Sequence, residues 1–125
     1  MEQASAITLD EFLRANERRN ALGRQLRQLH ARIDFIATPT VPMPAFAVGQ
    51  EVPPDQGMRR WHEWAPFSYP FNLTQQPAAS LPCGMTTDGL PIGVQLVADQ
   101  YADASLLNAC QSLEGQLTSQ WPTLL

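Results

Sequence analysis

Nucleophilic catalysis by this sequence would have to start from a thiol or a hydroxyl, and few residues are available for it. Of the two cysteines, Cys83 lies in a run that reads as a strand and Cys110 in one that reads as a helix; the two histidines are His30 and His62. Cys83 with either histidine would make a thiolate–imidazole pair, but geometry decides such pairs, and neither histidine has a sequence context that places it beside Cys83. A lone cysteine in a strand is usually a small packed hydrophobe. Ser80, in Ser80-Leu81-Pro82, has no evident base. All eight cations are arginine, and the absence of lysine removes one whole class of catalytic base. Glu63 beside His62, with Asp55 upstream, supplies metal-ligand types without HExxH or CxxC spacing, so neither a metal nor a cofactor is expected. Asp34, Asp88, Asp99 and Asp103 are explained by turn or capping roles. No catalytic constellation is predicted within the chain.

The elements that would position these residues follow from periodicity and turn chemistry. Thr8 and Glu11 match the capping box, and Ile7 with Phe12 occupy the positions of a hydrophobic staple, so a helix is predicted from Thr8. Leu9, Phe12 and Leu13 open an apolar stripe that Leu22, Leu26, Leu29 and Ile33 continue. Arg14, Arg18, Arg19, Arg24, Arg27 and Arg32 lie largely off that stripe. A solvated face is the plain reading of them, with a basic docking surface as the alternative. Ile33 to Thr38 reads as a short buried strand stopped by Pro39. Pro39, Pro42, Pro44, Pro53 and Pro54, with Gly49 and Gly57, make the segment to about Met58 irregular; its length exceeds the roughly 12 residues usual for structureless connections, which favours a functional or interface role. Met58, Trp61, Trp64, Ala65 and Phe67 approximate a helical face that Pro66 and Pro70 break into short pieces.

Two runs, Ala79 to Cys83 and Ile92 to Val97, flank the Asp88-Gly89 pair and predict an antiparallel hairpin. Ile92, Val94 and Leu96 then point to one side and Gly93, Gln95 and Val97 to the other, and both faces are expected to be covered. Asp103 is placed to cap a last helix carrying Leu106, Leu107, Cys110, Leu113 and Leu117. The predicted fold class is α/β: a small mixed sheet of about three strands with flanking helices, forming a single domain over residues 1–125. Such a sheet leaves unpaired borders unless it meets more structure or a second copy. The net charge of −4 argues against nucleic acid or an anionic membrane as a partner. No run reaches the ~18 apolar residues of a membrane span, and the N-terminus lacks a signal-peptide pattern, so a cytoplasmic protein is expected.

The stretch Asn72-Leu73-Thr74, Pro77-Ala78-Ala79-Ser80-Leu81-Pro82-Cys83-Gly84, then Gly89-Leu90-Pro91-Ile92-Gly93-Val94-Gln95-Leu96-Val97 resembles the C-terminal end of the amidase signature family. Asp34-Phe35-Ile36-Ala37-Thr38-Pro39-Thr40-Val41-Pro42 and the amphipathic helix after Val97 extend the resemblance over residues 18 to 117. Where the family usually has Gly after Asn-x-Thr, this chain has Gln75; a backbone needing positive φ there would cost about 1 kcal/mol. The resemblance implies a hydrolase of linear amide C–N bonds working through a Ser, a cis-configured Ser and a Lys, with a Gly-Gly-Ser-Ser stretch. This chain has neither the Lys nor that stretch. It therefore implies a C-terminal portion, inactive alone and needing the missing N-terminal portion as partner, with a small-molecule amide bound in the complete enzyme. The residues it places at the substrate-pocket rim are Thr38, Pro39, Thr40, Asn72 and Thr74, and for Asn72 and Thr74 local backbone bonding is the competing role. Trp61, Trp64 and Phe67 would line an acyl or aryl site or serve as core or interface aromatics. The competing reading is a stand-alone, non-catalytic module that self-associates through the sheet edge or the Leu22–Ile33 helix face.

Overall fold

The computed structural model describes residues 6–117. Helix α1 runs Leu9–His30, and its start is fixed as the sequence requires. Thr8 caps it with extended backbone, the Glu11 backbone N–H donates to Thr8 Oγ1 at 3.3 Å, and the Thr8 N–H donates back to Glu11 Oε2 at 2.8 Å. Strand β1 is Ile36–Pro39, α2 is Tyr69–Thr74, β2 is Ala78–Met85, β3 is Pro91–Val97 and α3 is Asp103–Glu114. β1 begins three residues later than expected. The chain leaving α1 first makes a closing turn in which the Ile33 N–H donates to the Leu29 carbonyl, so Ile33 belongs to the helix exit and not to the sheet.

The sheet order is β1-β3-β2, and both pairings are antiparallel. The sheet expected to be mixed therefore contains no parallel neighbours. β1 and β2 run the same way, but β3 lies between them and has an antiparallel partner on each side, β2 through the hairpin and β1 from upstream. At the turn only Gly89 takes the left-handed conformation, with φ 78°, while the Thr86 N–H and Leu90 carbonyl close the loop at 2.8 Å. A bulge between Pro82 and Gly84 leaves Cys83 without an opposing residue on β3.

The register sorts the side chains into two faces. Ala79 and Leu81 of β2 with Val94 and Leu96 of β3 point toward α3, where Leu106 and Cys110 are buried against them together with Ala98, Phe35 and Leu113. This is the core. Asp103 is the first helical residue of α3 and not its cap; Ala102 holds that position without a side-chain bond, so the Asp103 carboxylate acts on the helix dipole from the first turn. Leu107 stays exposed.

Pro70, expected to interrupt a helix, instead lies in the first turn of α2, where its missing N–H has no intrahelical acceptor to satisfy. Ahead of it, Trp61–Trp64 form a 3-10 turn whose start is held by Glu63 Oε1, accepting from the backbone N–H groups of Arg59 and Arg60 at 3.3 and 3.1 Å. The proline-rich segment is anchored to this turn. Trp64 Nε1 donates to the Glu51 carbonyl at 3.0 Å, and the Trp64 ring meets Phe46 edge-on at 5.6 Å.

Helix α1 is integrated mainly through α2. Its one buried residue is Gly23, which lies against Thr74 of α2, and Leu9, Phe12 and Leu13 remain 72%, 58% and 51% exposed. The apolar stripe read from the sequence exists but is covered only in part by the described residues: Leu22 and Leu26 are half-buried, while Leu9, Phe12, Leu13, Leu29 and Ile33 are exposed.

Candidate functional site: a hydroxyl-lined sheet face

The face of the sheet turned away from α3 is partly polar, with Ile36 and Val97 forming an apolar row at one end. Thr38 of β1, Gln95 of β3 and Ser80 of β2 form one row across the three strands. Gln95 is buried, and its side-chain amide donates to Thr38 Oγ1 at 3.0 Å and to the Phe67 carbonyl at 3.1 Å. It thereby ties the segment before α2 to the strands. The next row is Thr40, Gly93 and Pro82: the Thr40 N–H extends the ladder to the Gly93 carbonyl at 3.0 Å.

Above Gly93 the Thr40 and Ser80 hydroxyls meet at 2.6 Å, closing a hydrogen bond over the central strand. A side chain at position 93 would occupy that space, since a Cβ there would lie 2.7 Å from Thr40 Oγ1 and 2.9 Å from Ser80 Oγ. Glycine is required here by close approach and not by its backbone angles. Beyond this row, Val41, Pro42, Met43 and Pro44 face Thr86, Pro91 and Ile92 across a cavity of about 200 Å³, so the hydroxyl pair borders an apolar recess.

Of the five residues expected at a pocket rim, Thr38 and Thr40 come together on this face. Pro39 lies between them in sequence and so falls on the opposite face, in register with Val94. Asn72 is exposed on α2. Thr74 is buried at the α1–α2 junction, where its hydroxyl lies 2.7 Å from the Pro70 carbonyl and 3.1 Å from Gln76 Oε1. Sequence reasoning did not assign Ser80, Gln95 and Gly93 to the site. The alternation along β3 placed Gly93 and Gln95 on a common face, but only the cross-strand register shows that Ser80, Thr38 and Thr40 share it.

Chemically this face is a hydrogen-bonding wall. The Ser80 hydroxyl is paired to another hydroxyl, which is no proton acceptor of useful basicity. The Cys83 thiol donates to the Ile92 carbonyl at 3.5 Å. His62 stacks edge-on against Trp61, and Trp61 packs against Tyr69 at 5.9 Å, an aromatic group around the 3-10 turn. Among the described residues no cluster of His, Cys, Asp and Glu could hold a metal ion, and no helix is long and apolar enough to cross a membrane.

The described residues thus form an α/β arrangement, a three-stranded antiparallel sheet with one helix-covered face and one face that carries paired hydroxyls. The Amidase family model matches residues 2–107, and the chain belongs to that family. It is 31% identical over 103 residues to a glutamyl-tRNA(Gln) amidotransferase subunit of Thermodesulfovibrio yellowstonii, an alignment that takes in 82% of this chain and 21% of that protein. Its fold matches the crystal structure of a glutamyl-tRNA(Gln) amidotransferase subunit from Thermotoga maritima with a TM-score of 0.75 at 28% identity, over 89% of this chain and 24% of that one. It also matches 6-aminohexanoate cyclic dimer hydrolase with a TM-score of 0.73 at 33% identity, over 98% of this chain and 28% of that one. The chain thus spans about one fifth of the length of the curated relatives it matches.

Proposed function

We propose that this chain is the C-terminal portion of an amidase-signature hydrolase of linear amide C–N bonds, and that it supplies a wall of the substrate pocket while the chemistry comes from the remainder of the enzyme. The observation that carries this reading is the pairing of a family match over most of the chain with a sequence that has no lysine. A serine hydroxyl needs a base to become a nucleophile, and on the sheet face the Ser80 hydroxyl is bonded to that of Thr40. In this reading Thr38 and Thr40, with Ser80 and Gln95, form the hydrogen-bonding part of the rim, and Pro39, Asn72 and Thr74 hold the backbone that presents it. The partner is the N-terminal amidase portion, the ligand of the assembled enzyme is a small-molecule amide, and the site of action is the cytoplasm.

The first test is the coding DNA upstream of Met1. An in-frame continuation encoding a lysine and a Gly-Gly-Ser-Ser stretch supports the proposal. Amide hydrolysis by the joined polypeptide, and none by the 125-residue chain, would complete it. A second reading, a non-catalytic module that self-associates, is favoured by one observation, the exposure of Leu9, Phe12 and Leu13 on α1. An upstream stop codon together with a mass that rises with concentration in light scattering would replace the first reading by the second.

A further inference from the structure

The arginines of α1 are not spread evenly. From Arg18 to Ile33 the sequence holds five arginines and no aspartate or glutamate. Three of them, Arg19, Arg24 and Arg27, line a groove of about 280 Å³ between α1, the end of α2 and the loop after β3, with Gly23 among its lining residues and Gln75 and Gln100 opposite.

The ion pairs among the described residues are Asp10–Arg14 at 2.9 Å and Glu51–Arg60 at 3.1 Å, so none of the three groove guanidiniums has a carboxylate partner there. The groove is also organised. Arg27 Nη1 donates to Gln100 Oε1 at 3.4 Å, and Gln100 Nε2 donates to the Thr74 carbonyl at 2.7 Å, which fastens one arginine head to the α2 terminus. Gln75 sits in the left-handed conformation, φ 60° and ψ 37°, a strained position for a residue with a side chain, and lines the same groove. Arg19, Arg24 and Arg27 are exposed around the groove, and guanidinium forks match the oxygens of a phosphate or carboxylate. The volume suits one such group and not a nucleic-acid backbone, which would need a basic track along the surface.

We propose that this groove binds a small oxyanion, a phosphate or a carboxylate, through Arg19, Arg24 and Arg27. The site stands apart from the hydroxyl-lined face and does not rest on the amidase reading.

Isothermal titration of the 125-residue chain with inorganic phosphate, and separately with succinate, at ionic strength held constant with sodium chloride, tests it. Saturable one-to-one binding of either anion is expected, and which anion binds identifies the phosphate or carboxylate source. Arg24→Gln and Arg27→Gln should each weaken binding by about tenfold, as loss of a charge-assisted hydrogen bond does, and Arg59→Gln, outside the groove, should leave it unchanged. The absence of saturable binding by both anions overturns the proposal, as does an equal loss in Arg59→Gln. If a groove variant does not fold, amide chemical shifts of the unaltered chain decide: movement centred on Gly23 and Gln75 supports the site, and movement elsewhere or none refutes it.

Discussion

Adding one methyl group at Gly93 sets the polar sheet face against itself. The new Cβ would fall short of ordinary van der Waals contact by about 0.7 Å at Thr40 Oγ1 and about 0.5 Å at Ser80 Oγ, and because these oxygens are already 2.6 Å apart, neither hydroxyl can yield by moving toward the other. Turning either away breaks their mutual hydrogen bond, worth about 1 kcal/mol, and crowding a packed position costs about 1–3 kcal/mol. Alanine recovers about 0.5–1 kcal/mol through the lower entropy of the unfolded chain. Gly93→Ala should therefore destabilise by about 1–3 kcal/mol. In a Thr40→Ala, Ser80→Ala background the nearest remaining neighbour is the position-40 Cβ at 3.2 Å, which needs to give only a few tenths of an ångström. There the same substitution should cost less than about 1 kcal/mol, leaving a coupling of about 1–2 kcal/mol. Urea unfolding followed by tryptophan fluorescence, comparing midpoints at constant slope, measures both. Equal costs in the two backgrounds would show that the hydroxyl pair does not dictate glycine at position 93, and the geometry argued for the site would fall with it.

Gln75→Gly should stabilise the chain by up to about 1 kcal/mol, because it relieves a left-handed residue at the α2 terminus; a lower thermal midpoint would contradict this. Leu106→Ala, at a position 3% exposed beneath the sheet, should cost about 2–5 kcal/mol in urea unfolding. The Glu11 carboxyl is held below its ordinary value of 4.5, chiefly by the backbone N–H of Thr8 and then by the Thr8 hydroxyl. Its contribution to helix stability is accordingly present above that value and fades as pH falls through the lowered one. Glu11→Gln should flatten the loss of helical circular dichroism in acid below about pH 4.5, and an unchanged acid profile would show that the capping box has no part in it.

Local chemistry was legible in the sequence wherever the interaction partners are close along the chain. The α1 start needs only Thr8 and Glu11, and the hairpin needs only a turn between two alternating runs, so both are found where their residues predict. The site was legible only in part because its contacts are long-range: Gln95 reaches back 57 positions to Thr38, and Thr40 meets Ser80 across 40. Grouping rim residues by adjacency mixed two faces, since Pro39 must oppose Thr38 in a pleated strand. Asn72 and Thr74, two apart on a helix, likewise diverge, one to solvent and one into the α1 junction. The partly uncovered stripe of α1 had the same origin: periodicity shows that a helix has an apolar face, and only tertiary packing shows what it meets.

That stripe bears on the choice between a missing portion and a second copy. A two-fold pairing through the Leu22–Ile33 half of α1 would bring two copies of the Arg18–Arg32 stretch together, five arginines from each side and no carboxylate between them. Such an interface repels itself at low ionic strength and tightens as salt screens it. A partner of different sequence carries no such penalty and can present acids to the arginines and apolar side chains to Leu29 and Ile33. The open borders of β1 and β2 admit the same solution, because an added strand on either side extends the sheet without repeating the chain's own charges. Light scattering at low and high salt separates the two cases. A monomer throughout favours a different polypeptide as the natural cover for α1, and association that strengthens with salt would assign the helix face to a second copy.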